Sequence, residues 1–499
     1  MDYLQYILPV FYPKVLGIIF TGTFFGVIIG ALPGLTATMG VALLVPLTFG
    51  MDPVMGLNML IGIYVGGIYG GCISSILVKT PGTAASAATV LDGYPMAQRG
   101  EAGKALAMAT IASFIGGIFS TIVLSMLAPQ LANIALEFGP SEYFALAVFG
   151  LTIIASLSAD MLKGCIAGLL GMLLACVGAD PVSGANRFTF GSIGFASGFA
   201  FTPALIGLFA VSEVFVQLEN IFEDRVVKIK VSTALPTRAE MKECATALIR
   251  GSIIGTFIGI VPGTGSGTAS WISYNESKRL SKTPEKYGKG YIVGVAATES
   301  ANNAVCGGAL VPLLALGIPG DVVTAVLLGG LMIQGLQPGP LLFQTNPGIV
   351  VGIFAGSFIA NIFMFLIGMA GIKYFARILS VPKKILTVSI MIFCFIGSYA
   401  INMNLVDLYT MIFFGVIGYF LQKYNFSQAA LCIAMILGPL AESNLRLGML
   451  SFENDIVAFC SRPITFGFLL FSVLSISWPF IAKRMAAKRM AKMQQEDAA

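Results

Sequence analysis

The chain has 499 residues, of which 57% are hydrophobic and only 11% charged, with a net charge of +5. Soluble domains carry about 25% charged residues because a folded surface must be solvated, so the bilayer is the solvent for most of this chain. Histidine is absent, which excludes imidazole metal sites and His-based acid–base chemistry. Eight cysteines, at 72, 165, 176, 244, 306, 394, 432 and 460, show no CxxC spacing, which argues against structural zinc and a secreted disulfide framework. Basic residues sit in loops and at the C-terminus, so nucleic acid is not implied.

Taken in chain order, residues 1–14 read as an interfacial segment. Residues 15–50, with IIGALPGLTATMG at their middle, read as a re-entrant hairpin. Continuous apolar runs long enough for a spanning helix follow at 53–79, 102–127, 140–158, 162–180 and 199–220. Residues 221–250 are rich in Lys and Arg and form a cytoplasmic linker whose later part, 234–249, has the character of a second interfacial arm. Residues 251–277 lie between basic loops, and each arm of about 11 residues rises roughly 17 Å, half a bilayer. They predict a second hairpin with PGTGSG at its tip. Further crossings are expected at 291–317, 348–371, 384–402, 405–421, 425–441 and 465–482, before a basic tail at 483–499. The expected class is an all-α polytopic membrane protein with about 11 crossings plus two hairpins, in repeats 15–220 and 251–482.

Lys and Arg placement orients these segments. Basic residues cluster in 225–250, in 278–289, from Lys373 to Lys384, and from Lys483 to Lys492, which places those stretches and the C-terminus in the cytoplasm. The loops 128–139 and 337–347 lack Lys and Arg and are expected outside.

The two hairpins align. Gly22, Gly26, Ile29, Gly30, Pro33 and Gly34 correspond at a constant offset to Gly251, Gly255, Ile258, Gly259, Pro262 and Gly263. Each is followed some fifty residues later by another Pro-Gly, Pro81-Gly82 and Pro319-Gly320. The charged QRGEAGK after the first and the uncharged IQGLQPGP after the second give the halves opposite sidedness, the mark of an inverted repeat.

Pro removes a backbone donor and clashes with the preceding turn, and Gly permits positive φ, so Pro-Gly breaks a helix. Inverted-repeat transporters place substrate and ions at such breaks, where freed N–H groups favour an anion and freed carbonyls a cation. The candidate substrate residues are Pro33, Gly34, Thr36 and Thr38; Lys79, Thr80, Pro81, Gly82, Thr83 and Ser86; Pro262, Gly263, Thr264, Gly265 and Ser266; Asn302 and Asn303; and Pro319 and Gly320. Candidate Na⁺ ligands are Asp321, Asn303 and Thr264. Each has a plainer alternative: packing kinks for the Pro-Gly motifs, a snorkelling Lys79, a helix cap for Asp321, and interhelical hydrogen bonding for Glu299, Asn302 and Asn303. Glu299 is placed nearer the interface than the two asparagines.

These same residues carry a resemblance to the large permease subunit of the tripartite tricarboxylate transporters (TctA). Matching stretches include GALPGLTATMGVALLVPLTF, YGGCISSILVKTPGTAASAATVLDGYPMAQRG, GADPVSGANRFTFG, GIVPGTGSGTASWISYNESKR, YGKGYIVGVAATESANNAVCGGALVPLLALGIPG, and ILGPLAESNLRLGML with a later SRPIT. The resemblance implies a multi-pass bacterial inner-membrane permease that works with a small transmembrane subunit and a periplasmic solute-binding protein. It implies import of di- or tricarboxylates driven by a cation gradient, with no cofactor beyond the coupling ion, Na⁺ or H⁺. Arg187, Glu442 and Arg446 also fall in family-like motifs, as loop structure or as a docking point. Cys72, Lys79 and Asp321 depart from the family pattern, where Ser, Asn and a small neutral residue are usual. The expected function is Na⁺-coupled uptake of an organic anion by an elevator-like movement. The alternatives are an H⁺-driven symporter that needs no binding protein and, more remotely, an intramembrane enzyme.

Overall fold

The computed structural model describes residues 4–157, 160–219, 234–379, 381 and 383–477. The basic tail 483–499 and the 221–233 part of the linker lie outside the described residues. The chain is an all-α polytopic membrane protein, and nine helices among the described residues are long and apolar enough to cross a bilayer.

In chain order the main helices are α1 (Pro13–Ala31), α2 (Ala37–Leu44), α3 (Pro53–Val78), α4 (Val90–Gln98), α5 (Ala102–Ala135), α6 (Pro140–Leu157), α7 (Met161–Ala175) and α8 (Phe201–Glu219). They continue with α9 (Arg238–Ile260), α10 (Gly265–Arg279), α11 (Ile292–Leu316), α12 (Val322–Ile333), α13 (Pro347–Gly371), α14 (Lys383–Asn402), α15 (Leu405–Lys423), α16 (Gln428–Ser451) and α17 (Pro463–Ser477). Thr237 and Glu240 form a capping box that starts α9, so 238–249 and the first arm of the second hairpin are one helix.

The helices fall into two compact units, one of Met1–Leu136 with Ala200–Lys423, the other of Glu137–Phe199 with Tyr424–Ala499. In the second unit α16 packs on α6 and α7, and a Cβ on Gly171 would meet the Leu431 carbonyl at 2.3 Å.

The first unit is organised around α3 and α11. Lipid tails are as apolar as Leu, so helices associate there by close packing of small residues rather than by exclusion from water. A Cβ added at Gly22, Gly26 or Gly30 of α1 would lie 2.3, 2.5 or 2.1 Å from the carbonyls of Met59, Ile63 and Gly67 on α3. Added at Gly251, Gly255 or Gly259 of α9, it would lie 2.9, 2.2 or 2.8 Å from those of Ala297, Ala301 and Val305 on α11. The six glycines and the six carbonyls each keep one constant offset, so the same helix pair is built twice. The third helix of each set then packs across: α5 on α11, where Gly116 faces the Ser300 carbonyl, and α13 on α3, where the Asn58 amide donates to the Gly352 carbonyl at 3.1 Å.

Candidate functional site

All four Pro-Gly stretches interrupt their helices. Leu32 leaves α1 in an extended conformation, Gly34 takes φ +88°, and Thr36 caps α2 by accepting from the Met39 N–H. Lys79 ends α3 at φ +60°, followed by the non-helical Thr80-Pro81-Gly82-Thr83. Val261 leaves α9, and Gly263 and Gly265, the latter the first residue of α10, both take positive φ. Gly317 closes α11 at φ +74°, and Asp321 begins α12.

The breaks are joined in two pairs by equivalent contacts. Gly82 lies against the Gly30 carbonyl, so closely that a Cβ would be 2.4 Å from it. Gly320 lies likewise against the Gly259 carbonyl at 2.6 Å, and its own carbonyl accepts the Gly263 N–H at 2.8 Å. Around the first pair, Thr83 and Ser86 share a hydroxyl hydrogen bond beside Gly71, and Ser75 donates to the Ser86 carbonyl. Around the second, Thr264 donates back to the carbonyls of Ile258 and Val261, which holds its own hairpin tip closed, and Ser266 is buried.

Several contacts cross from one half to the other. The Asn303 amide donates to the Val65 carbonyl at 3.4 Å. The Tyr64 hydroxyl donates to Asp321 at 2.7 Å. The Thr89 hydroxyl, seven residues beyond Gly82, faces both the Thr298 hydroxyl and the Glu299 carboxylate. Asp321 is the N-cap of α12: one carboxylate oxygen accepts from the Thr324 N–H and hydroxyl, the other from Tyr64. Asn302 and Asn303 are fully buried, and each has a side-chain carbonyl oxygen without a hydrogen-bond partner.

Glu299 is fully buried and takes hydrogen bonds from Thr89, Ser113 and Asn302. A helix buried along its whole length, as α11 is from Ile292, hides residues from its first turns onward. Lys79 is exposed, its ammonium 5.8 Å from the centroid of the Tyr94 ring, and Pro81 is exposed beside it. The half-buried Thr80 donates to the Val78 carbonyl at 3.4 Å, and Thr38 lies half-buried on α2. Pro33 and Gly34 are also half-buried, with Gln217 donating to the Gly34 carbonyl at 3.4 Å and Glu213 beside it. Tyr64, Thr89, Ser113, Glu213 and Gln217 were missed; of these only Glu213, an acid in an apolar run, carried a signal a sequence reading uses.

Asp92, fully buried, accepts the N–H groups of Gly288, Gly290 and Tyr291 and the Tyr274 hydroxyl, which fixes the loop leading into α11.

In the second unit, Arg187, Glu442 and Arg446 meet around a residue the sequence did not single out. Asp180 pairs with Arg187 and, at 2.7 Å, with Arg446; Glu442 pairs with the same two arginines at 2.9 and 2.6 Å. Asp180, Arg187 and Glu442 border a cavity of about 210 Å³, and the four charges hold the loop that carries the two-residue ladder of Gly178–Ala179 with Asn186–Arg187. The Val182 N–H, with Arg187, Ser183 and Arg446, holds the Asp180 carboxyl well below the ordinary carboxylate range, against the opposing cost of desolvation. A carboxyl lowered on folding contributes stability above its unfolded pKa and loses it only as pH falls through the folded value. Protease resistance of the loop 178–191 should therefore stay constant between pH 8 and 5, and Asp180→Asn should make it cleavable throughout that range. Limited proteolysis with mass mapping reads both.

Comparison with known proteins completes the assignment. The family model of the tripartite tricarboxylate transporter TctA family matches residues 16–433. An Agrobacterium vitis protein described as an uncharacterized 52.8 kDa protein in the TAR-I ttuC′ 3′ region is 40% identical over 447 residues, 89% of each chain. A second protein of that organism, described as an uncharacterized protein in the TAR-II ttuC′ 3′ region, is 39% identical over 210 residues, 42% of this chain and 87% of its own length. No solved structure matches. All four helix breaks lie within the matched span, and the chain belongs to the tripartite tricarboxylate transporter TctA family.

Proposed function

We propose that this chain is the permease of a secondary-active importer for di- or tricarboxylate-type organic anions in the bacterial inner membrane, coupled to Na⁺. It is fed by a periplasmic solute-binding protein and works with a small transmembrane subunit. The observation that carries the reading is the pairing of the four breaks: Gly82 on the Gly30 carbonyl, Gly320 on the Gly259 carbonyl, and the Gly263 N–H on Gly320. Irregular backbone within a membrane protein persists only where protein buries it or a wet path needs it. Four breaks built as two equivalent pairs suit two inverted-topology repeats that meet at a transport site. Broken ends offer N–H groups to a carboxylate, and the unpaired Asn302 and Asn303 oxygens offer acceptors to a cation. The basic linker and tail support a cytoplasmic C-terminus.

The test is reconstitution. A panel of labelled organic acids is first screened against the cognate periplasmic protein, and the tightest ligand serves as probe. Uptake into vesicles should require the binding protein, the small subunit and an inward Na⁺ gradient. Full-rate uptake by the chain alone removes the partner clause, and uptake that follows a pH gradient without Na⁺ removes the coupling clause.

A further inference from the structure

We infer that Glu299, Asn302, Thr89, Thr298 and Ser113 form the binding site for the coupling Na⁺, an assignment that rests on the Na⁺-coupled reading above. Glu299 is fully buried, and no Lys or Arg pairs with it among the described residues. Burying an isolated ionised carboxylate is prohibitively costly, so the group needs a cation or a proton. Its neighbours are oxygens. Thr89 presents a single hydroxyl hydrogen to two acceptors, the Thr298 hydroxyl at 2.9 Å and a Glu299 carboxylate oxygen. The Thr298 hydroxyl has already given its hydrogen to the carbonyls of Gly294 and Val295. Ser113 reaches the second carboxylate oxygen at 3.5 Å, at the edge of hydrogen-bond range, and the Asn302 amide reaches it at 3.3 Å. The Asn302 side-chain oxygen, on the same amide, is buried without a partner. The cluster holds more lone pairs than hydrogens, the condition in which a hard cation supplies what hydrogen bonds do not.

The charge selects the ion. One carboxylate among neutral oxygens balances one positive charge. Among the described residues no group of three or more His, Cys, Asp or Glu is placed to hold a metal, which disfavours a carboxylate-rich divalent site. Asp321 is the competing ligand, but its carboxylate is committed to the N-cap of α12, and its hydrogen bonds from Thr324 and Tyr64, at 2.8 and 2.7 Å, are shorter than the 3.5 and 3.3 Å contacts of the second Glu299 oxygen.

The position of the site gives it a role. Its ligands come from α11, from α5, and from the segment that follows the Pro81-Gly82 break. The Thr298 carbonyl, on the same turn, accepts from Ser270 of α10, at 3.4 Å, and α10 is the helix that leaves the second hairpin tip. An ion drawn in by Glu299 therefore ties a break of one half to the hairpin of the other.

The experiment is thermal unfolding of the purified full chain in detergent, in NaCl against KCl at equal ionic strength and without organic anion. Wild type should unfold at a higher temperature in Na⁺. Glu299→Gln should lose the Na⁺ response, and Glu299→Asp and Ser113→Ala should keep it with the half-saturating Na⁺ concentration raised several-fold. Asp407→Asn, which changes a buried acid of α15 elsewhere in the unit, should respond as wild type does. If Glu299→Gln does not fold, the shift in Ser113→Ala decides. A Na⁺-responsive wild type whose variants respond unchanged overturns this assignment and leaves the proposed function standing. A wild type indifferent to Na⁺ overturns both.

Discussion

Valine at Gly255 is expected to abolish assembly of the folded protein, and valine at Gly26 to do the same. At Gly255 a Cβ would stand 2.2 Å from the Ala301 carbonyl oxygen, and at Gly26 it would stand 2.5 Å from that of Ile63. Both obstacles are backbone in the most buried helices of the unit, so neither can move aside as a flexible side chain would. Overpacking a well-packed core costs about 1–3 kcal/mol, and a clash with rigid backbone belongs at or beyond the upper end of that range. Gly17, on the same helix as Gly26, has nothing within 4 Å, so Gly17→Val should be tolerated. The yield of monodisperse protein and its unfolding temperature read all three. Tolerance of valine at one of the two matched positions would break the equivalence of the α1–α3 and α9–α11 pairs.

Asp321→Ala is expected to destabilise the fold by about 2–4 kcal/mol. Loss of an N-cap costs about 0.5–2 kcal/mol, and a buried donor left unpaired, here the Tyr64 hydroxyl, about 1–3 kcal/mol. Asp321→Asn keeps an acceptor for Thr324 and places an amide that can donate to the Tyr64 hydroxyl, so it should recover part of the loss in the same unfolding measurement. Equal damage from the two substitutions would show that charge, not capping, is what the position requires.

Much of this architecture was legible because bilayer physics writes it in composition. Runs such as 348–371 are apolar over a whole span, and α13 covers Pro347–Gly371. The Pro-Gly breaks were legible for the same reason: few residues interrupt a helix, and these recur at matched positions. The capping alternative for Asp321 was also readable, because an acid directly after Pro-Gly sits where a helix restarts. Partnership across the chain was not readable. Nothing in the spacing of Thr89 and Glu299, or of Tyr64 and Asp321, announces contact over more than 200 residues. Lys79 carried two readings, facing a substrate or snorkelling to the surface, and the left-handed turn there sets it at the surface over Tyr94. Arg187, Glu442 and Arg446 stood out as motif residues, but Asp180, which joins the two arginines, sat in a loop with no periodicity to place it.

The central claim is that the paired breaks line one transport route whose exposure depends on substrate and ion. Single cysteines at Thr83 and Ser266, in a background with the eight native cysteines replaced, can be labelled from each side of the membrane with an impermeant thiol reagent. The account predicts that labelling rates at Thr83 and Ser266 change together when Na⁺ and organic anion are added. Rates that stay the same in every condition, or protection at both positions throughout, would contradict it.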